Sequence, residues 1–408
     1  MLKTDWLQGA SPAFRLMIAT SWLAPESWQE NQEMAVREAI QDGPDWAEFV
    51  RLVDRHRTPA VSWAALNHPQ RASLPEPVKR ELQKRSDACR MEAVTQCLLL
   101  ASVLKAFNGA GIPVMPLKGQ LLSFDLYGDL GLRQSRDLDL AVAEEDLLKA
   151  IACLETMGWI PDPSTWFPLT PRQWASVLQH EYHLEFVHSQ TGCLLELHWR
   201  DRWETPDATR SRWNRSIPSV WQGCSIRLMS REDRTLYLCS HGGYHMWFRA
   251  KWLGDLARAH AAGQLDWKAA LSIGRTAGQQ AVLQVGLCLL NRIYGLPLPD
   301  LPVDPLMTFE SQPIEIPLSA LADPEEPVNS SSRGWARLRF RFRISRYERL
   351  LQPQKAWRDR LSQLLYGRED FRVLRLPDSL YRAYAPLHPI LWTWREARRL
   401  YRAARPKL

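Results

Sequence analysis

No apolar run in this 408-residue chain approaches the roughly 20 residues that a membrane-spanning helix requires. The amino-terminal stretch "MLKTDWLQGASPAFRLMIATSWLAPESW" holds a short apolar patch, but Asp5 precedes it and Arg15 interrupts it. It does not read as a secretory leader, and a cytoplasmic location is expected. Cysteine is scarce and scattered: Cys89, Cys97, Cys153, Cys193, Cys224, Cys239 and Cys288 are odd in number and form no CxxC pair. That excludes a disulfide framework and a zinc ribbon, leaving reduced, buried thiols as the expected state. The chain also lacks a GxSxG serine elbow, a P-loop and a GxGxxG turn, which argues against α/β-hydrolases, P-loop kinases and dinucleotide enzymes. No internal repeat recurs at a fixed period.

What is present is a folded, globular composition: 45% hydrophobic and 24% charged, with 19 Trp and 28 Pro. This length can bury a sizeable core and leaves room for two or three domains. The net charge of +7 conceals an asymmetry, because residues 333–408 hold 20 Arg or Lys against six acids and so leave −7 for residues 1–332. A basic tail of this kind can hold nucleic acid, an anionic lipid surface or an acidic partner. Its Trp, Leu and Tyr interleave at helical spacing, which equally fits a solvated arginine-rich helical face.

Before residue 110 the period is helical, ending in the long amphipathic run "EPVKRELQKRSDACRMEAVTQCLLLASVLKAFNGAG". A short apolar strand is predicted over residues 112–117, a helix over "KGQLLSFDLYGD" and a strand over "RDLDLAV", where the period drops to two. The helix "AEEDLLKAIACLETMG" follows, with acids in its first turn and Gly158 at its end. Then "EYHLEFVHSQTGCLLELHWR" reads as a hairpin turning at Ser189, Gln190, Thr191 and Gly192. From residue 231 to 295 the period is helical again. Residues 296–332, rich in Pro, Ser and acids, read as an irregular linker.

Asp137 and Asp139 stand two apart in a predicted strand, so their side chains share one face while Leu138, Leu140 and Val142 pack on the other. A wet edge strand would carry the same pair. In water-excluded surroundings, however, two carboxylates so close need a counter-charge, and oxygen ligands of this type suit Mg²⁺ or Mn²⁺ with substrate phosphates. Glu196, in the apolar strand "CLLELHW", is a third acid in need of a partner or a task. Lys118 and Gly119, between a strand and a helix, can offer a cation and backbone N–H groups to phosphate. Arg133, Ser135 and Arg136 directly precede the acidic pair. Together these point to a metal-nucleotide site.

The segments "LKGQLL" (117–122), "LYGDLGLRQSRDLDLAV" (126–142), "LLELHW" (194–199), "HGGYHMWFRAKWLGDLA" (241–257) and, more loosely, "LRLPDSLYRAY" (374–384) resemble the uncharacterised nucleotidyltransferase family of the DNA polymerase β-like superfamily. The resemblance spans roughly residues 10–395 in the family's order. It implies an α+β fold: a small mixed β-sheet nucleotidyltransferase core over 111–230, flanked by an N-terminal helical region (1–110), a helical bundle (231–295), the Pro-rich linker (296–332) and an Arg-rich helical C-terminal region (333–408). It further implies Asp137, Asp139 and Glu196 as catalytic metal-binding acids, and Lys118, Gly119, Arg133 and Ser135 as nucleotide-binding residues. The expected activity is transfer of a nucleoside monophosphate from a nucleoside triphosphate such as ATP to an acceptor hydroxyl on a small molecule, peptide or protein, with Mg²⁺ or Mn²⁺ as cofactor. One departure stands out. The wider superfamily follows its glycine with Ser or Gly and reaches the Asp pair sooner, whereas here Gln120 follows Gly119 and 17 residues intervene before Asp137.

His241 and His245, at i and i+4 of a predicted helix, share a face, and with Asp255 they are expected to line the cleft by the same resemblance. No Glu follows His241, so this is not an HExxH site. His198 or His183 could complete a site with them, although nothing in the sequence brings them together. His180, His183 and His188 around the hairpin read as surface residues. Two other functions fit the sequence: a nucleotide-binding partner or regulatory protein with little or no transfer activity, and an RNA-directed transferase using the basic tail.

Overall fold

A computed structural model describes residues 5–162, 167–301, 311–323, 335–352 and 367–404. Its centre is a five-stranded mixed sheet ordered β1 (Met115–Pro116), β2 (Asp137–Ala141), β5 (Leu194–His198), β4 (His183–His188) and β3 (Trp159–Pro161). β2 and β5 run parallel, and the other neighbours are antiparallel. A separate antiparallel ribbon joins β6 (Ile217–Trp221) to β7 (Cys224–Leu228). The fold is α+β, as expected.

Period-two alternation decides which way the sheet faces. Leu138 and Leu140 of β2, Leu184 and Phe186 of β4, and Leu195 and Leu197 of β5 are buried in one cluster. The same cluster takes in Leu100, Val103, Leu104 and Phe107 from α2 (Glu76–Gly109) and Leu147, Ile151 and Leu154 from the helix Leu147–Thr156. Fully burying each of these side chains contributes about 1.5–3 kcal/mol. A one-residue slip of β2 would forfeit this by turning its leucines out, so the packing also fixes the opposite face as the place for Asp137 and Asp139.

The strand expected over 112–117 shrinks to Met115–Pro116. Pro113 and Pro116 have no N–H to donate to a ladder, and Leu117 ends the pairing by donating to the Asp139 carbonyl at 2.9 Å. α3 (Gly119–Tyr127) begins two residues later and closes on Gly128, whose φ of 71° is the left-handed C-cap that glycine supplies without penalty.

A second core joins elements far apart in sequence. Phe49, Leu52 and Val53 of α1 (Trp46–His56) pack in one cluster with Leu253 and Leu256 of α5 (Ala250–Ala261) and Val282, Leu283 and Leu289 of the helix Gln280–Tyr294. The amino-terminal helices therefore share a core with the 231–295 bundle. Between α4 (Arg231–Tyr244) and α5 the chain breaks sharply: Met246 and Trp247 have φ of 51° and 53° and donate to the carbonyls of Gly243 and Gly242. The Trp247 ring lies over Gly242, where an added Cβ would be 2.4 Å from it. The paired glycines of "HGGYHMW" are thus there to admit an indole.

The stretch expected to be an irregular linker contains the helix Gln312–Ala322, whose Ile314, Leu318 and Leu321 are buried along one face. Pro313 sits at its first turn, where a missing N–H costs nothing. In the basic carboxy-terminal region, Tyr347 and Leu351 of the helix Trp335–Leu351 enter the second core. Part of the charge is spent internally: Asp370 accepts from Arg395 and contacts His388, while Glu348 accepts from Arg202 at 3.0 Å. All seven cysteines are free, five of them buried. Among the described residues no helix is long and apolar enough to cross a membrane.

Candidate active site

The polar face of the sheet opens on a cavity of about 350 Å³. β2 brings Asp137 and Asp139 to it, β5 brings Glu196 and His198, and β4 brings His183 and Glu185. Register makes this a grid: Asp139 pairs with Glu196, Glu196 with Glu185, and His198 with His183. Lys118 enters from the turn between β1 and α3. The helical side supplies Arg57, Tyr237, His241, His245, Arg249 and Lys251.

Of the acids lining the cavity Asp139 is the most enclosed, 3% exposed. Its Oδ1 lies 2.8 Å from Lys118 Nζ and 3.5 Å from His198 Nε2, yet neither carboxylate oxygen accepts a well-aligned hydrogen bond. The contact with Lys118 is therefore one of charge. Burial disfavours the Lys118 ammonium, but Asp139 and the neighbouring acids outweigh it and hold its pKa well above the ordinary value. His198 Nε2 is also 3.2 Å from Glu196 Oε2. Burial opposes charging this imidazole too, and its contacts with Asp139 and Glu196 push its pKa up nonetheless. The reciprocal effect appears at Glu196: burial would raise its pKa, but the His198 hydrogen bond and the charges of His183 and Lys118 hold it well below the usual carboxylate range.

Asp139, Glu196 and His198 offer ligand atoms within 4.8 Å of one another, and so do His183, Glu185 and Glu196. The first group, two carboxylates and an imidazole with the buried Asp139 among them making no well-aligned hydrogen bond, fits a divalent cation. Asp137, although on the same face, lies outside both groups. Its Oδ1 is 3.3 Å from Ser135 Oγ, which also donates to the Asp137 carbonyl at 3.1 Å.

The remaining expected residues are placed as follows. Gly119 has φ of 70° with open space where a Cβ would be, so the start of α3 is bare backbone. Arg133 lines the cavity but donates from Nε to Asp255 Oδ2 at 2.8 Å, and both side chains are buried. Asp255 itself does not line the cavity; it holds Arg133. His241 and His245 do line it, although His245 caps α4 instead of continuing it. Their rings lie 4.8 Å apart, edge to face, and His245 stacks on Trp252 at 4.8 Å. Burial and then Lys118 hold both imidazoles below their ordinary pKa, His245 at about 3. They are neutral wall residues.

His183, expected at the surface, belongs to the cavity instead. The signal was there: His183 and Glu185, like Glu196 and His198, alternate with buried Leu184 and Phe186, and Leu195 and Leu197. His188 keeps away, its ring 5.0 Å from Trp159. Arg57, Arg249 and Lys251 carried no sequence signal, because long-range packing delivers them.

Residues 42–295 match the family model described as uncharacterised nucleotidyltransferase. None of the curated proteins matches the chain. Among solved structures, antibiotic-resistance factor ANT(2'')-Ia is similar at 16% identity over 45% of this chain and 91% of that one, with a TM-score of 0.32, too low to carry an argument.

Proposed function

We propose that this chain, which belongs to the uncharacterised nucleotidyltransferase family, moves a nucleoside monophosphate from a nucleoside triphosphate to an acceptor hydroxyl and releases pyrophosphate. In this reading Asp137, Asp139 and Glu196, with His198 beside them, hold Mg²⁺ or Mn²⁺, which when bound supplies Lewis-acid neutralisation of phosphate charge. The observation that carries the reading is Asp139, a buried carboxylate held by the charges of Lys118 and His198 without a well-aligned hydrogen bond, in register with Glu196.

The chain's own residues have distinct tasks. Lys118 presents an ammonium to phosphate oxygens, and the bare first turn of α3 at Gly119 adds N–H groups. Ser135 fixes the Asp137 carboxylate. Arg133, steadied by Asp255, places a guanidinium at the same wall. Transfer forms a bond from the acceptor oxygen to the α-phosphorus, its hydroxyl proton passing to water, and breaks the bond from the α-phosphorus to the bridging oxygen, whose electron pair leaves with pyrophosphate. Because His198 and Lys118 keep Glu196 ionised, it is a better ligand and orienting acceptor than a proton store. His241, His245 and Trp252 form an uncharged wall that limits water around the reacting phosphate.

Pyrophosphate release tests this directly. Each of the four ribonucleoside triphosphates is incubated with the protein and Mg²⁺ or Mn²⁺, with candidate hydroxyl acceptors and the protein itself present. Metal-dependent release that Asp139→Asn reduces at least about a hundredfold supports the reading; release unaffected by that change rejects it.

A further inference from the structure

The cavity's cations are not equally matched with acids. Lys118 has Asp139 at 2.8 Å, Arg133 has Asp255 at 2.8 Å and Arg202 has Glu348 at 3.0 Å. Lys251 is only 9% exposed, yet among the described residues it has no carboxylate within 4.0 Å. Its Nζ donates to the Gln134 carbonyl at 3.0 Å, leaving its other N–H groups for a further acceptor. Arg57 and Arg249 line the same cavity. Burial first, then the charges of Arg133 and Arg57, push the Lys251 pKa well below its ordinary value. Asp137 opposes them only from a distance, so a buried Lys251 crowded by guanidiniums has no anion in contact with it.

The backbone accepts strain to put these cations here. Among the described residues four non-glycine positions have positive φ, and three of them set this wall. Arg57 is itself left-handed at φ 56°, capping α1, and Met246 and Trp247 make the break that starts α5 beside the cavity. Such conformations cost about 1–3 kcal/mol each and persist where packing over-determines them. Arg249 lies over the rings of Phe248 and Trp252 at 5.0 and 5.7 Å, which helps to fix its guanidinium at this wall.

We propose that Lys251, flanked by Arg57 and Arg249, is the subsite for the outer phosphates of the triphosphate, supplied by the helices and not by the sheet. It rests on the transfer reading for the identity of the anion. The sheet then faces the reacting phosphate with its acids, and the helices neutralise the part that leaves.

The test uses inorganic tripolyphosphate without divalent cation, titrated calorimetrically into the full chain. Lys251→Gln is expected to weaken binding about tenfold or more, and Lys251→Arg to keep most of it. Asp137→Asn/Asp139→Asn is expected to leave it unchanged or tighter, since those acids repel the probe. Lys251→Met and Lys251→Gln remove a buried charge and should melt no lower than the wild type, which separates lost binding from lost folding. Wild-type protein that fails to bind tripolyphosphate, or Lys251→Gln binding within about twofold of it, overturns the subsite. Metal-dependent triphosphate binding indifferent to Lys251→Gln would remove the subsite and leave the transfer reading standing. Lys251-dependent tripolyphosphate binding without pyrophosphate release from any triphosphate would do the reverse.

Discussion

Lys118→Met should destabilise the metal-free protein and make it more responsive to a divalent cation. The substitution keeps most of the side chain's volume but removes the charge 2.8 Å from Asp139 Oδ1, in a pair whose side chains are 5% and 0% exposed. Breaking a buried pair by removing one partner costs about 3–5 kcal/mol, because the other charge is left without compensation. His198 Nε2 at 3.5 Å offsets part of that, so about 3 kcal/mol is expected, roughly a hundredfold in the folding equilibrium. Urea unfolding followed by tryptophan fluorescence near neutral pH reads the loss as a lower midpoint at unchanged slope. Millimolar Mg²⁺ or Mn²⁺ should recover most of it, and should stabilise the variant more than the wild type, in which Lys118 competes for Asp139. Lys118→Arg, which keeps the charge, should lose less. A loss below about 1 kcal/mol, or equal stabilisation of both proteins by the cation, would refute the reasoning.

Three further outcomes follow from the geometry. Gly119→Ala has free space for its methyl but must hold φ near 70°, so a loss of about 1–2 kcal/mol with an intact circular dichroism spectrum is expected. Gly242→Ala would put a Cβ 2.4 Å from the Trp247 ring; overpacking of this kind costs about 1–3 kcal/mol, and a near-ultraviolet change reporting a displaced indole should accompany the lower melting temperature. His56, His241 and His245 are held neutral by burial, with folded pKa values below the ordinary histidine value. The unfolded chain therefore takes up protons first, and their stabilisation is full above about pH 6.5 and lost as pH falls towards the folded values. His198, pushed up, runs the other way, its contribution lost as pH rises through its folded pKa. Urea midpoints should fall from about pH 7 to pH 5, and His245→Gln should flatten the slope; a rising midpoint would reject the assignment.

How much of this was legible in the sequence depends on how local each signal is. β2 could be read because alternation within five residues fixes both its type and its faces: Leu138 and Leu140 can only go inward, which leaves Asp137 and Asp139 on the cavity side. The same logic located Glu196. It did not reveal that Asp139, and not Asp137, sits closest to Glu196 and His198, because strand pairing is a long-range choice. The break at Met246 and Trp247 carries neither proline nor glycine at the turning residues, and its cause is the fit of an indole over Gly242 one turn back. Arg57 and Lys251 meet only because α1 and α5 share a core across nearly two hundred residues of chain. The helix Gln312–Ala322 hid in a proline-rich stretch: Pro313 occupies a first-turn position that proline tolerates, but Pro317 lies inside the helix, where a local reading argues against one.

The most direct measurement of the central claim is calorimetric titration of each ribonucleoside triphosphate with Mg²⁺ into the wild type and into Asp137→Asn/Asp139→Asn. Binding that Mg²⁺ strengthens in the wild type and does not strengthen in the double variant is the expected result. Equal binding by the two proteins in the presence of Mg²⁺ would contradict it.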